Sequence, residues 1–261
     1  MRSVPLRLAG VVAGVLCCAA LTTPLAAQEA EAFKVLKLEG HQVRWSLPGT
    51  GGPRVVTYRL VADRQDFPAA RNCRGLAPLE GLAGASRLAP MVIKAEAEAA
   101  FAMWEAAANI VFKEAPEGGP ADILIGAQTE PDGWAFADVF YETASPDTVK
   151  PITQALVCLN PMRPWKVGFD GDLKTYDMRY TLAHEIGHAI GLDHPAGANA
   201  IMNYRYEERF RALQPGDVRG AVALYGAPTS PPLVVAADPR GGRGTAGPVA
   251  SGPTDGRALG K

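Results

Sequence analysis

The eleven residues HEIGHAIGLDH, from His184 to His194, hold three of the four histidines in this 261-residue chain. On a helix, residues four apart lie on the same face, so His184 and His188 can both reach one metal ion. Glu185 then stands beside the same position without serving as a ligand. A carboxylate base next to a metal-activated water is the arrangement that metal-assisted hydrolysis requires.

Two histidines alone hold zinc weakly, because a catalytic zinc usually has three protein ligands and one open position. Gly191 gives the chain a way to a third ligand, since glycine adopts the positive φ that ends a helix and turns the chain back. His194 follows three residues later, where a straight helix would not have placed it. The motif therefore predicts one Zn²⁺ site with His184, His188 and His194 as its ligands.

The first 27 residues form a separate targeting segment. Arg2 and Arg7 are followed by an apolar run and by small residues, the pattern of a secretory signal peptide cleaved near Ala27 or at Ala30. An uncleaved membrane anchor is the alternative, but the run is shorter than the ~20 residues that a membrane span needs. This segment predicts a secreted or periplasmic protein.

The remaining chain divides into three parts. Residues 28–53 form a lead-in segment, residues 54–226 one globular domain, and residues 227–261 a tail rich in Pro and Gly that is expected to be disordered. A formal net charge of −1 gives no reason to expect a nucleic-acid partner, and the mature chain has no apolar run that calls for a membrane partner. We expect a monomer.

Hydrophobic periodicity predicts five strands and three helices. Their order indicates an α+β (α/β-like) domain in which helices cover one sheet. The stretch from residue 62 to Ala89 is expected to be rich in loops. The predicted strands are 54–61, 109–114, 121–127, 134–141 and 154–160, and the predicted helices are 90–109, the segment from 175 to the break at Gly191, and 215–225.

Two cysteines, Cys73 and Cys158, remain once the targeting segment is removed. In an oxidising compartment such a pair most simply forms one disulfide bond, and the alternative is two buried thiols that act as small apolar side chains. Neither cysteine lies in a CxxC motif, so the sequence does not indicate a cysteine-ligated metal.

HEIGHAIGLDH followed by NAIMNY resembles the zinc-binding motif and Met-turn of the metzincin endopeptidases. Met202 lies eight residues after His194, a spacing typical of the matrixin (matrix metalloproteinase-type) branch. LQPGDVRGAVALYG, from Leu213, resembles the closing helix of the same branch. The resemblance extends from about Trp45 to Gly226 and implies a metzincin (zincin) catalytic domain: one twisted, mixed five-stranded sheet with three helices.

The resemblance also implies roles for individual residues. Glu185 would be the general base, and Met202 would form an apolar floor beneath the metal. Tyr204 would either stabilise the oxyanion, transiently bind the metal, or only line the pocket. Tyr206 would line the pocket for the residue after the scissile bond. The strand WAFADVFY, from Trp134, would be an edge strand that binds an extended peptide or protein substrate.

Several features depart from the pattern. Pro195 stands where matrixins usually have serine, and no histidine between His41 and His184 is available for a second, structural zinc. The acidic residues of GFDGDLKTYD could bind Ca²⁺, but their spacing matches no EF-hand loop, and a solvated turn is the favoured explanation. Cys73 follows the first strand, which is the wrong place for a cysteine that caps the metal.

The leading interpretation is a secreted zinc metalloendopeptidase. Two alternatives stay open: a non-catalytic, zinc-stabilised binding module of the same fold, and a zinc hydrolase that acts on a non-peptide amide or ester. Glu185 argues against the first, because a purely structural zinc site needs no base and normally closes its fourth position.

Overall fold

The computed structural model describes residues 33–49, 51–116, 118–196 and 199–229. The predicted signal peptide (1–27) and nearly all of the predicted tail (227–261) lie outside these residues. In chain order the strands are β1 (Lys34–Val35), β2 (Lys37–Leu38), β3 (His41–Arg44), β4 (Arg54–Leu60), β5 (Gln65–Asp66), β6 (Gly75–Ala77), β7 (Ile110–Glu114), β8 (Ile123–Gln128), β9 (Ala135–Tyr141), β10 (Val149–Leu159), β11 (Trp165–Lys166), β12 (Tyr176–Asp177) and β13 (Leu192–Asp193), and the helices are α1 (Glu80–Ser86), α2 (Pro90–Ala107), α3 (Met178–Ala189) and α4 (Pro215–Tyr225).

The sheet that carries the fold has nine described strands, of which five lie side by side in the order β7-β4-β8-β10-β9, while β2 and β3 join through β10 and β5 and β6 join through β8. The first four are parallel, and β9 runs antiparallel to β10 with Cys158 opposite Phe136. The expected α+β fold with a mixed sheet is therefore confirmed. The predicted count of five strands was too low, because short strands of the lead-in segment and of the stretch before Ala89 join the same sheet. Among the described strands, β9 pairs only with β10, so its other edge is available for a further strand.

Helices α2 and α3 cover one face of this sheet. Helix α2 begins at Pro90, whose missing N–H costs nothing in a first turn, and buries one apolar stripe. Trp104 is fully buried on this stripe, and its indole N–H donates to the carbonyl of Ala183 on α3 at 2.9 Å. The bond fixes α2 against α3, the helix that carries two of the predicted ligands.

The opposite face carries a smaller apolar cluster, because alternate residues of β8 and β10 point to opposite sides of the sheet. Leu124 and Leu156 lie in this cluster with Leu76 and with the disulfide bond between Cys73 and Cys158. The bond joins the segment before β6 to the middle of the sheet.

The prediction of three helices was wrong, because the described residues contain four. Helix α1 and strands β5 and β6 lie in the stretch before Ala89 that was expected to be loops. Helix α1 (EGLAGAS) is only seven residues long and contains two glycines, so it shows neither a helical period nor a high helix propensity. In the described part of the chain, no helix is long and apolar enough to cross a membrane.

Candidate metal centre

Helix α3 presents the first two histidines. It begins after Asp177, whose buried carboxylate accepts the backbone N–H of Tyr180 at 2.8 Å and so satisfies one of the free donors at the helix start. His184 and His188 follow on one face of the helix, where both are buried.

Gly191 turns the chain back toward the same point. Its φ of +100° lies in the region that glycine favours, and a Cβ built on it would lie 2.4 Å from the backbone oxygen of Val43. No other residue fits both conditions. The chain then runs through β13 and places His194 beside the two histidines of α3.

The three imidazoles converge through their Nε2 atoms. The Nε2–Nε2 distances are 2.9 Å from His184 to His194, 3.1 Å from His188 to His194, and 3.2 Å from His188 to His184. Nitrogens bound at about 2.0–2.1 Å to a tetrahedral zinc would lie about 3.3 Å apart, so the spacing is close to that of a zinc site.

Backbone carbonyls orient two of the rings. The Nδ1 atom of His184 lies 2.7 Å from the oxygen of Ile201, and that of His188 lies 2.8 Å from the oxygen of Leu192. A carbonyl only accepts, so each Nδ1 carries the proton and each Nε2 directs its lone pair inward. Converging lone pairs repel one another unless a cation lies between them, and three imidazoles are a donor set that suits Zn²⁺. Among the described residues, the ligand atoms of these three histidines lie within 4.8 Å of one another, close enough to hold one metal ion.

Glu185 supplies independent support for a cation at this position. Its side chain is fully buried, and neither carboxylate oxygen has a hydrogen-bond partner among the described residues. Burial raises the pKa of this carboxyl well above its ordinary range, and the charge of Asp138 raises it further. A buried carboxylate with no donor is costly, so the site fits a bound cation and water that would complete it.

The Met-turn packs beneath the histidines through Gly187. A Cβ on Gly187 would lie 2.2 Å from the sulfur of Met202 and 2.9 Å from Trp104. Met202 is buried and can approach the helix this closely only because position 187 has no side chain.

Asp217 on α4 holds the Met-turn in place. Its carboxylate accepts the N–H groups of Ile201 at 2.9 Å and Met202 at 3.1 Å, and also that of Gln214 at 2.8 Å. Because the Ile201 carbonyl orients His184, Asp217 acts on the site through one intervening peptide group. Asp217 and Gly187 were not predicted from the sequence as site residues. The signals were a carboxylate in the first turn of α4 and a glycine inside a buried helix.

Tyr204 and Tyr206 differ in their surroundings. The ring of Tyr204 is 49% exposed and meets the ring of His194 edge-on, with 5.2 Å between centroids. Tyr206 is only 5% exposed, and it stacks on Tyr176 with 4.1 Å between centroids. Its hydroxyl donates to Glu208 and accepts the N–H of Asp177. Tyr206 therefore lies within an aromatic stack.

The acidic loop before α3 gives no support to a calcium site. The ammonium group of Lys166 contacts the carboxylates of Asp170 and Glu208 and lies 2.8 Å from the carbonyl oxygen of Asp172. The side chain of Asp172 accepts the N–H of Lys174 instead. A lysine thus occupies the position that a bound cation would need.

Comparison with known proteins agrees with this geometry. Matrix metalloproteinase-15 of Homo sapiens is 32% identical over 148 residues, which cover 51% of this chain and 22% of that protein. Stromelysin-1 of Rattus norvegicus is 27% identical over 240 residues (80% of this chain, 44% of that protein), and Metalloendoproteinase 4-MMP of Arabidopsis thaliana is 30% identical over 148 residues (53% and 42%). The chain thus spans less than half the length of each of these relatives. The model of one protein family, described as Matrixin, matches residues 82–226, and the chain belongs to the matrixin family.

Proposed function

We propose that this protein is a zinc-dependent endopeptidase. One observation carries the proposal: three inward-facing imidazole nitrogens converge beside a fully buried carboxylate that has no protein partner among the described residues. His184, His188 and His194 would hold the zinc. When bound, zinc supplies a Lewis acid that polarises a carbonyl and makes a water molecule more acidic.

Glu185 would be the general base. Burial raises the affinity of its carboxylate for a proton, so it can take one from the attacking water and hold it. The same carboxyl then delivers the proton to the nitrogen of the departing amine. Because Glu185 lies on α3 next to His184, its position is set by the helix that also fixes the ligands.

A peptide substrate would bind along β9. The free edge of this strand offers unpaired backbone N–H and C=O groups, which an extended peptide can match as an added strand. This mode recognises backbone amides in series, and an isolated non-peptide amide or ester lacks them. Peptides and proteins are therefore the favoured substrate class.

The decisive experiment compares the zinc-loaded wild type with Glu185→Gln on an unfolded protein substrate. We expect the wild type to cleave it, to lose activity with a chelator and to regain it with Zn²⁺. Glu185→Gln should bind one equivalent of zinc but cleave roughly 10²- to 10⁴-fold more slowly. Wild-type rates in this variant would refute the general base, and a zinc-loaded wild type that cuts no peptide would support a binding module.

For Tyr204 we propose stabilisation of the developing oxyanion, because its exposed ring lies against His194. Tyr204→Phe should lower kcat by about tenfold or more with little change in KM. Unchanged kcat would leave Tyr204 as a residue of the pocket wall.

We also propose export to the periplasm or the medium. The signal-like residues 1–27 and the disulfide bond between Cys73 and Cys158 both support an oxidising compartment. N-terminal sequencing of the exported protein should find a new terminus at Gln28 or close to it.

A further inference from the structure

A cavity of about 370 Å³ lies next to the metal centre, and its lining includes His188, Asp193 and residues 137–140 of β9. Two further segments line it: the segment around Leu36 and Lys37, called here the lead-in wall, and the loop at Ala70 and Arg71, called here the loop wall. Both walls lie outside residues 82–226, the part that matches the family. The metal centre therefore lies within the part of the chain that the family model matches, while the two walls of this cavity lie before it.

The loop wall is held on both sides of Arg71. Ala70 is buried in the small apolar cluster, and Cys73 is bonded to Cys158 of β10. Between them, the carboxylate of Asp138 accepts the N–H groups of Asn72 and Cys73, each at 2.7 Å. Arg71 is thus presented from a backbone that is fixed on the sheet.

The lead-in wall is fixed to the loop that carries the third ligand. Strand β1 pairs with β13, the N–H of Leu36 donates to the carbonyl of Gly191 at 2.8 Å, and Lys34 pairs with Asp193 at 2.7 Å. At the tip of the β2–β3 hairpin, Glu39 accepts the hydroxyl of Tyr141 at the end of β9.

The acidic and basic side chains that line the cavity differ in whether they have a bonding partner. Its two carboxylates are engaged: Asp138 by N–H groups of the loop wall, and Asp193 by Lys34. Lys37 and Arg71 are exposed, and no carboxylate among the described residues lies within ion-pair distance of either. Apolar side chains make up most of the rest of the lining, so the cavity combines apolar contacts with two cationic groups that no described carboxylate pairs with.

We propose that this cavity binds a glutamate side chain of the peptide substrate, close to the scissile bond; this inference rests on the proposed endopeptidase function. The methylene groups of glutamate match the apolar lining, and its carboxylate can pair with the guanidinium of Arg71, which favours two parallel hydrogen bonds to a carboxylate. Lys37 adds a second positive charge. Arg71 and Lys37 are therefore specificity-determining residues.

The test uses the zinc-loaded full-length protein and a peptide library, followed by peptide pairs that carry Glu or Gln at the selected position. The wild type should prefer Glu at one position near the cut by at least fivefold in kcat/KM. Arg71→Met should reduce the ratio below twofold, and Arg71→Glu should reverse the preference to Lys over Glu. Lys37→Met should reduce the ratio in part.

Arg74→Met is the matched control, because Arg74 is an exposed arginine of the same loop that does not line this cavity. It should keep the wild-type ratio. If the wild type cleaves peptides without preferring Glu, or if Arg71→Met keeps the preference, this inference is wrong and the proposed function stands. A zinc-loaded wild type that cleaves no peptide overturns both.

Discussion

At the scale of single residues, Glu185 links the function of the centre to its stability. Burial raises the pKa of its carboxyl in the metal-free protein, so the folded state keeps a proton that the unfolded state releases at an ordinary glutamate pKa. Stability contributed by this group is therefore greatest below that ordinary pKa. It falls as pH rises toward the raised folded pKa, above which the buried charge has its full cost.

Glu185→Gln removes this buried charge. In the zinc-free protein at pH 8, we expect the variant to melt at a higher temperature than the wild type, and the difference should shrink as the pH falls to 5. Thermal unfolding with a chelator present measures it. Glu130→Gln, which changes an exposed carboxylate, should show no such trend. A difference that grows toward acid pH would contradict this interpretation of Glu185.

Gly187 allows the Met-turn to approach the ligand helix. Gly187→Ala would place a methyl group against the sulfur of Met202 and the ring of Trp104, and overpacking of this kind costs about 1–3 kcal/mol. We expect denaturant unfolding to show that loss. Gly84→Ala in α1 is the control, because its new methyl group meets nothing within 4 Å and should add about 0.5–1 kcal/mol. A stabilised Gly187→Ala would show that Met202 can move aside freely.

At the scale of secondary-structure elements, Asp217 connects α4 to the metal ligands. Asp217→Asn replaces one acceptor oxygen with a donor that faces a backbone N–H, so stability should fall by about 1–3 kcal/mol. Because the Met-turn carbonyl orients His184, zinc affinity should also fall by roughly 10- to 100-fold.

A competition assay with a chelator measures that affinity. Asp172→Asn is the control, since Asp172 also accepts a backbone N–H but is exposed and far from the Met-turn in the sequence. Zinc affinity equal to the wild type in Asp217→Asn would show that the Met-turn keeps its position without this carboxylate.

The elements that the sequence predicts well are those with a local signal. Helices α2 and α4 begin at Pro90 and Pro215 as expected. Strand β10 begins at Val149, five residues before the predicted start at residue 154. The prediction started too late because proline is rare in a strand interior, and Pro151 lies in this stretch. The structure accommodates Pro151 beside a register shift between Ile152 and Gln154.

The histidine motif likewise predicts which residues converge, because helix geometry and Gly191 act over a few residues. The partners that orient the rings come from distant segments, so no local pattern contains them. The oxygen of Ile201, 17 residues after His184, is one example. The stacking of Tyr206 on Tyr176 is another.

At the scale of the whole molecule, the metal centre and the disulfide bond lie on opposite faces of the sheet. The helical face carries the metal centre, and Trp104 and Gly187 fix its packing. The other face carries the disulfide bond, whose segment continues into the cavity wall at Arg71. A change on the second face should therefore alter substrate selection without altering the metal ligands.

Cys73→Ala combined with Cys158→Ala tests this separation. The bond closes a loop of 85 residues, so its loss should lower the free energy of unfolding by about 4.5 kcal/mol. At a temperature where the variant stays folded, zinc affinity should equal that of the wild type, while the preference for Glu over Gln should fall because the loop of Arg71 is freed. Reductant should weaken the preference of the wild type and leave the variant unchanged. If zinc affinity falls together with the preference, the two faces are not independent, and the disulfide bond supports the metal centre as well.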